Sequence, residues 1–318
     1  MKTKILCILS CMTLYYSRSA GQAPAFKVVG YYSLQAALAN ETKIPLKYLT
    51  HVNLWFLNPD TLGNFTQDLT ALHAFVKLAH RKQVKILFSI GGGSKHPQYH
   101  SLLKDQRNLL ISNLATLVDR YHLDGIDVDL EGSDIDENYE AFVIELGQVL
   151  HARQKIITAA VAVYYKNQFS DLALNTYDFV NIMSYDRTGP WRPEKPGPHA
   201  TFTHAVEDLR YFGQDRKMPM HKMTLGVPFY GYGFGPEITS APNSMSYNKI
   251  VEAYSGSESV DEWLTPEGKI LYYNGIPTIK AKTGLAKQMA SGVMIWQILG
   301  DTKGKKSLLK TIHKASRI

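Results

Sequence analysis

Asp124-Gly-Ile-Asp127-Val-Asp129-Leu-Glu131 places Asp127, Asp129 and Glu131 at alternate positions, with Val128 and Leu130 between them. A spacing of two is the period of a β-strand, so the three carboxyl groups share one face and the two aliphatic side chains share the other. Ile126, Val128 and Leu130 mark the strand as buried. A solvated acidic patch fits that setting badly, because charged side chains are rarely buried without partners.

Similar short apolar runs recur on both sides of this stretch. They predict strands over 27–32, 52–57, 85–90, 125–130, 156–163, 179–184, 223–229 and 292–297. Several are nearly continuous in Val, Ile, Leu and Phe, as in parallel strands covered on both faces. Between them lie helical patterns. Leu72, Phe75, Val76 and Ala79 repeat at three-four spacing, as do Leu110, Leu114, Leu117, Val118 and Tyr121, and again Tyr139, Phe142, Val143, Leu146, Val149 and Leu150. Eight strands with intervening helices predict an α/β fold, a (β/α)8 TIM barrel, with an open doubly wound sheet as the alternative. The interval 234–288, punctuated by Pro236, Pro242, Pro266 and Pro277, breaks the rhythm and reads as a short insertion between strands seven and eight.

In a barrel the shared carboxylate face is the lumen. Glu131 then lies toward the C-terminal end of its strand, where barrel enzymes build their sites. Carboxyl-bearing positions two apart are roughly 6.6 Å apart along a strand. Like charges that close in a poorly solvated lumen disfavour joint ionisation, so the group shares protons and one carboxyl stays neutral near pH 7. A neutral carboxylic acid at a barrel mouth suits a general acid. A Mg²⁺ or Mn²⁺ site is the rival reading of three carboxylates. No His lies within the cluster, and neither a metal nor another cofactor is expected.

The N-terminus reads as an export signal over 1–25. Lys2 and Lys4 precede a mostly apolar run over 5–16, and Ala23-Pro-Ala25 supplies a small-x-small cleavage pattern. The run is too short to span a bilayer. Both cysteines, Cys7 and Cys11, fall inside it, so the processed domain over 26–318 would carry no disulfide. Ile8-Leu-Ser-Cys11 also resembles a lipoprotein signal, which would anchor the protein at a lipidated Cys11. The expected location is therefore outside the cytoplasm, secreted or periplasmic, with membrane anchorage as the alternative. Lys2, Lys4 and Arg18 supply three of the +7 net charges. Much of the remaining surplus is a C-terminal cluster of Lys303, Lys305, Lys306, Lys310, Lys314 and Arg317, read as a solvated basic tail and not as a nucleic-acid surface. A monomer is expected.

With these residues in place, the chain resembles family 18 glycoside hydrolases, the chitinases and related endo-β-N-acetylglucosaminidases, over nearly its whole length after the leader. The strand-four stretch resembles the family's DxxDxDxE signature, and Ser89-Ile-Gly91-Gly92 its SxGG motif. Met183-Ser-Tyr185-Asp186 is similar to MxYD, while Gly226-Val-Pro-Phe-Tyr230-Gly and Gly292-Val-Met-Ile-Trp296 resemble the endings of strands seven and eight.

The resemblance implies hydrolysis of β-1,4-linked N-acetylglucosamine, with the substrate's acetamido oxygen as nucleophile. It casts Glu131 as acid and base, Asp129 as the residue orienting the acetamido group, and Asp127 as its hydrogen-bonding neighbour. Tyr185 would bond the acetamido oxygen, Asp186 would accept from sugar groups, and Trp296 would form the hydrophobic floor. Trp191 would be a platform on the leaving-group side. Tyr31 and Ser89 would support Asp127, and Asp124 would be structural. The substrate is chitin or its oligomers, or alternatively the chitobiose core of N-glycans. A binding-only, lectin-like role is a further alternative, although such relatives typically lose the final Glu. The stretch departs from many chitinases in reading Leu130-Glu131-Gly132 where they continue Glu-Tyr-Pro, and its strand-seven insertion is short. The short insertion implies a shallower cleft, suited to open, endo-type attack or to a glycoprotein glycan.

Overall fold

The computed structural model describes residues 25–39, 44–235 and 243–317. Residues 1–24, where the export signal is expected and Cys7 and Cys11 lie, fall outside the described residues. Seven parallel strands come first: β1 (Lys27–Ser33), β2 (His51–Trp55), β3 (Lys85–Gly91), β4 (Gly125–Asp129), β5 (Ile156–Ala162), β6 (Phe179–Met183) and β7 (Met223–Pro228). Four short strands follow, β8 (Tyr230–Phe234), β9 (Ser244–Ser246), β10 (Glu262–Leu264) and β11 (Ile270–Tyr272), and then β12 (Gly292–Trp296). β12 pairs in parallel with both β7 and β1, closing an eight-stranded barrel. The expected (β/α)8 barrel is therefore present, each strand ending within two residues of its expected limits.

The period-two pattern divides the apolar residues into two layers. Ile126 and Val128 of β4, with Leu130 just past its end, point outward into a large core shared with the helices. Helix Leu72–His80 buries Leu72, Phe75, Val76 and Ala79 there, and helix Tyr139–His151 buries Tyr139, Phe142, Val143, Leu146 and Leu150. The alternate positions fill the lumen, where Val29, Tyr31, Ala160, Phe179, Tyr185, Ala200 and Met294 form a separate small cluster.

The insertion is ordered where it is described. β10, β11, β8 and β9 form an antiparallel sheet, and β8 starts at Tyr230 directly behind β7, so this sheet grows from the barrel mouth. Helix Ile276–Met289 then returns the chain to β12. The C-terminal basic cluster is not a loose tail. Leu308–Arg317 is a helix that buries Leu308, Leu309 and Ile312 and leaves its basic residues on the opposite face. An apolar stripe of three residues was enough to dock it. Among the described residues no helix is long and apolar enough to cross a membrane.

Candidate active site

Asp127 sits at the centre of the lumen, fully buried. Its Oδ2 accepts from the Tyr31 hydroxyl at 2.5 Å and from Ser89 Oγ at 2.8 Å. Its Oδ1 accepts from Thr158 Oγ1 at 2.5 Å and Asn181 Nδ2 at 3.2 Å, and Thr224 Oγ1 donates in turn to Asn181 Oδ1 at 2.8 Å. Parallel register delivers these donors, since Ser89 and Thr158 are the strand neighbours of Asp127. Burial pushes the Asp127 carboxyl up, and the bonds from Thr158, Tyr31 and Ser89 pull it back down.

One step up the strand, Asp129 is buried with Oδ1 lacking any partner among the described residues. Burial raises it well above the ordinary carboxylate range, and the charges of Glu131 and Asp127 raise it further. Glu131, in extended backbone just past the strand, accepts the Asp134 N–H at its carbonyl oxygen, while its carboxyl group takes no hydrogen bond from the described residues and borders the cleft. Burial first, then the negative charges of Asp186 and Asp134, push it up to about 7. A carboxyl with that value is part protonated at neutral pH, which suits proton donation and return.

Two glycines shape the ground around these groups. Gly91 and Gly92 have φ of 95° and 108°, and a Cβ on Gly91 would meet the Asp129 carbonyl oxygen at 2.3 Å. Gly92 N–H donates to that same oxygen at 2.8 Å, so the β3 turn fixes the end of β4. Beside Glu131, Gly132 adopts a φ of 57°, and the Tyr165 ring packs 3.3 Å from where its Cβ would be. The departure at Gly132 thus gives its space to an aromatic ring from the turn after β5.

The cleft above has a volume of about 1260 Å³. Trp296 lies at its base, with its ring 5.3 Å from Tyr31, 5.5 Å from Trp55 and 5.8 Å from Phe56. Tyr185 also lines it, and the nearest polar partner of its hydroxyl is the weak acceptor Met294 Sδ at 3.8 Å. That hydroxyl is left available to a ligand. Asp186 accepts from the Tyr230 hydroxyl at 2.5 Å and faces His199 Nδ1 at 3.1 Å. Trp191, 57% exposed, stands on the rim with its edge toward Tyr232 at 5.2 Å. Tyr164, 81% exposed, forms another part of the rim.

Asp129, Glu131, Tyr185, Asp186, Trp191 and Trp296 therefore converge on one cleft, with Tyr31, Ser89 and Asp127 beneath it. Asp124 does not join them. It lies at the opposite end of β4, where Oδ2 meets His80 Nε2 and the Ile86 N–H, each at 2.8 Å. Sequence reasoning missed Thr158, Asn181 and Thr224. Each is a lone polar residue in an apolar strand and alternates onto the lumen face, the same signal that singled out Asp127. It also missed Tyr230, His199 and Tyr165, whose roles depend on loop paths.

Comparison with known proteins gives one family. The model for glycosyl hydrolases family 18 matches residues 27–301. Among solved structures, the chain is similar to the GH18 chitinase ChiB from the chitin utilization locus of Flavobacterium johnsoniae, at 35% identity and a TM-score of 0.81, covering 92% of this chain and 94% of that one. A chitinase from Bacteroides thetaiotaomicron is 26% identical, with a TM-score of 0.79 over 92% of this chain and 96% of that one. Endochitinase 1 of Metarhizium anisopliae is 26% identical over 74% of this chain and 66% of its own length.

Proposed function

The chain belongs to glycosyl hydrolases family 18 and is a glycosidase, and from that premise we propose that it cleaves β-1,4 bonds in chitin oligomers by a retaining, substrate-assisted reaction with Glu131 as acid and base. The observation that carries the reading is the contrast inside one carboxylate row. Glu131 stands at the cleft unbonded and raised to about 7 by burial and the charge of Asp186, above an Asp129 whose Oδ1 is unpartnered. The similar proteins include two chitinases solved as structures.

In this mechanism the Glu131 carboxyl gives its proton to the glycosidic oxygen as the C1–O bond breaks. The carbonyl oxygen of the substrate's 2-acetamido group forms the new bond to C1, giving an oxazolinium ion. Asp129 accepts from the acetamido N–H and offsets the positive charge that develops there. The Tyr185 hydroxyl holds the acetamido oxygen in line, and Trp296 stacks under the sugar ring. Water then attacks C1, the Glu131 carboxylate takes its proton, and the ring opens with configuration retained. Asp127 keeps Asp129 in register from below. The leader over 1–25 fits an exported enzyme that meets its polymer outside the cytoplasm.

Incubation with N-acetylchito-oligomers, with products read by mass, tests this. Disaccharide or longer fragments are expected from the unmodified protein, and Glu131→Gln is expected to lower kcat by roughly 10³-fold or more. Equal turnover by the two proteins would sink the assignment. Release of a high-mannose glycan from glycoprotein, with chitin oligomers untouched, would move the substrate to the N-glycan core.

A further inference from the structure

Asp186 is held through a segment that leads away from the cleft. Its Oδ1 takes both the Tyr230 hydroxyl and the contact to His199 Nδ1. Its backbone lies in the left-handed region, φ 59°, which a non-glycine residue keeps only where its surroundings hold it. His199 is buried between the rings of Tyr230 and Tyr232, at 5.1 and 4.8 Å, and its Nε2 has no partner among the described residues. The ring is thus held by aromatic packing and, through Nδ1, by Asp186, whose Oδ1 lies at 3.1 Å and whose backbone N–H donates at 3.4 Å.

The next residue is anchored from outside the barrel. The Ala200 carbonyl accepts from Lys282 Nζ at 2.9 Å and from Asn274 Nδ2 at 2.8 Å, and Asn274 Oδ1 accepts from Lys282 Nζ at 2.8 Å. Lys282 is fully buried on helix Ile276–Met289. An apolar residue would be the ordinary occupant of such a position, because burying an ammonium group is costly unless hydrogen bonds compensate. Its two acceptors are both neutral, and burial lowers it to about 7 against the opposing pull of Asp261 and Asp208.

We propose that Lys282 and His199 are positioning residues for Asp186, a relay from the outer helix layer that fixes the carboxylate standing beside Glu131. The inference rests on the assignment of Glu131 as the acid. The charge of Asp186 is the largest charge effect on Glu131, so an Asp186 freed to turn toward solvent lets Glu131 lose its proton at lower pH. Asp186 also faces Tyr185, Tyr230 and Tyr232. Around Lys282 the charged neighbours are Asp208, Asp261 and His204, and Asp208 is paired with Arg187.

A double-mutant cycle over His199→Gln and Lys282→Met tests the relay. It is read by the pH dependence of kcat/KM on a chromogenic chitobioside, and by ¹³C NMR titration of the Glu131 carboxyl, assigned from its loss in Glu131→Gln. Each single substitution is expected to move the Glu131 titration down by roughly half a pH unit or more and to lower kcat/KM roughly fivefold. The double variant is expected to do no more than His199→Gln alone. Additive effects, or a Glu131 titration that stays the same in all four proteins while only thermal stability falls, would overturn the proposal. If Lys282→Met does not fold, Asn274→Ala takes its corner, since it removes one donor to Ala200 and one acceptor of Lys282. The NMR measurement needs no turnover, so a wrong substrate appears as absent activity with the titration shifts intact.

Discussion

Strand β4 carries acidic residues from one end to the other, and its two ends meet opposite conditions. At the lower end Asp124 is part exposed and bonded to His80 and to a backbone N–H. In the middle Asp127 is buried, yet four donors satisfy it. At the upper end Asp129 keeps one oxygen unpartnered and the Glu131 carboxyl has no hydrogen bond among the described residues, and these two are pushed up with no bonds opposing the shift. Side-chain type is nearly constant along the row, so it does not account for the difference. What differs is the supply of donors, which the neighbouring strands provide at the middle and withhold at the mouth. A fold that satisfies one carboxylate completely can hold its neighbours ready for a ligand.

Asp127→Ala is the hardest test of that contrast. The substitution leaves the donors on Tyr31, Ser89, Thr158 and Asn181 buried without their acceptor. Each stranded donor costs about 1–3 kcal/mol before relaxation, so a total loss of about 3–5 kcal/mol is expected in urea unfolding. Activity is expected to fall as well, because Asp129 loses its support. A loss below about 1 kcal/mol would mean that the lumen repacks freely and that the middle of the strand is no more constrained than its mouth.

The barrel and its carboxylate row were legible in the sequence because both are written in a period of two. The alternation of Asp127, Asp129 and Glu131 with Val128 and Leu130 holds whatever the loops do. The same rule applied to Ile157-Thr158-Ala159 and Val180-Asn181-Ile182 would have found two more donors to Asp127. The Asp186 surroundings were not legible in that way. His199 lies 13 residues downstream of Asp186 and Tyr230 lies 44. Their meeting depends on the path of the loop after β6, and no periodicity encodes that path. Lys282 was hidden for a related reason: a lysine in a helical pattern reads as solvent-facing until the packing is known.

A milder test uses the raised Glu131 carboxyl, which burial and the charge of Asp186 shift from 4.5 to about 7. Between those values the folded protein holds a proton that the unfolded chain has released. The stabilisation is therefore complete below about pH 4.5 and is lost as pH rises through about 7. Glu131→Gln removes this titration. Unfolding free energies measured from pH 5 to 8 are expected to fall faster in the unmodified protein than in the variant, by on the order of 2 kcal/mol across the window. Parallel curves would show that the mouth is as well satisfied as the middle.

The smallest effect is expected at the lower end. Asp124→Ala removes one acceptor that serves both His80 Nε2 and the Ile86 N–H, joining helix Leu72–His80 and β3 to the foot of β4. The side chains of His80 and Asp124 are 38% and 26% exposed, so water can replace part of what is lost, and an exposed ion pair contributes little. A cost of about 1 kcal/mol is expected in urea unfolding, with Asp124→Asn close to neutral because its amide oxygen can still accept. Turnover of chitin oligomers should be unchanged in both variants, since nothing at the foot of the strand touches the cleft. A fall in kcat of more than roughly threefold with stability intact would break the division, because more than about 0.6 kcal/mol of coupling would then be travelling the length of β4 to Glu131. The strand would then act as a single unit, and the separation of a bonded foot from an unbonded mouth would describe its hydrogen bonds without describing its function.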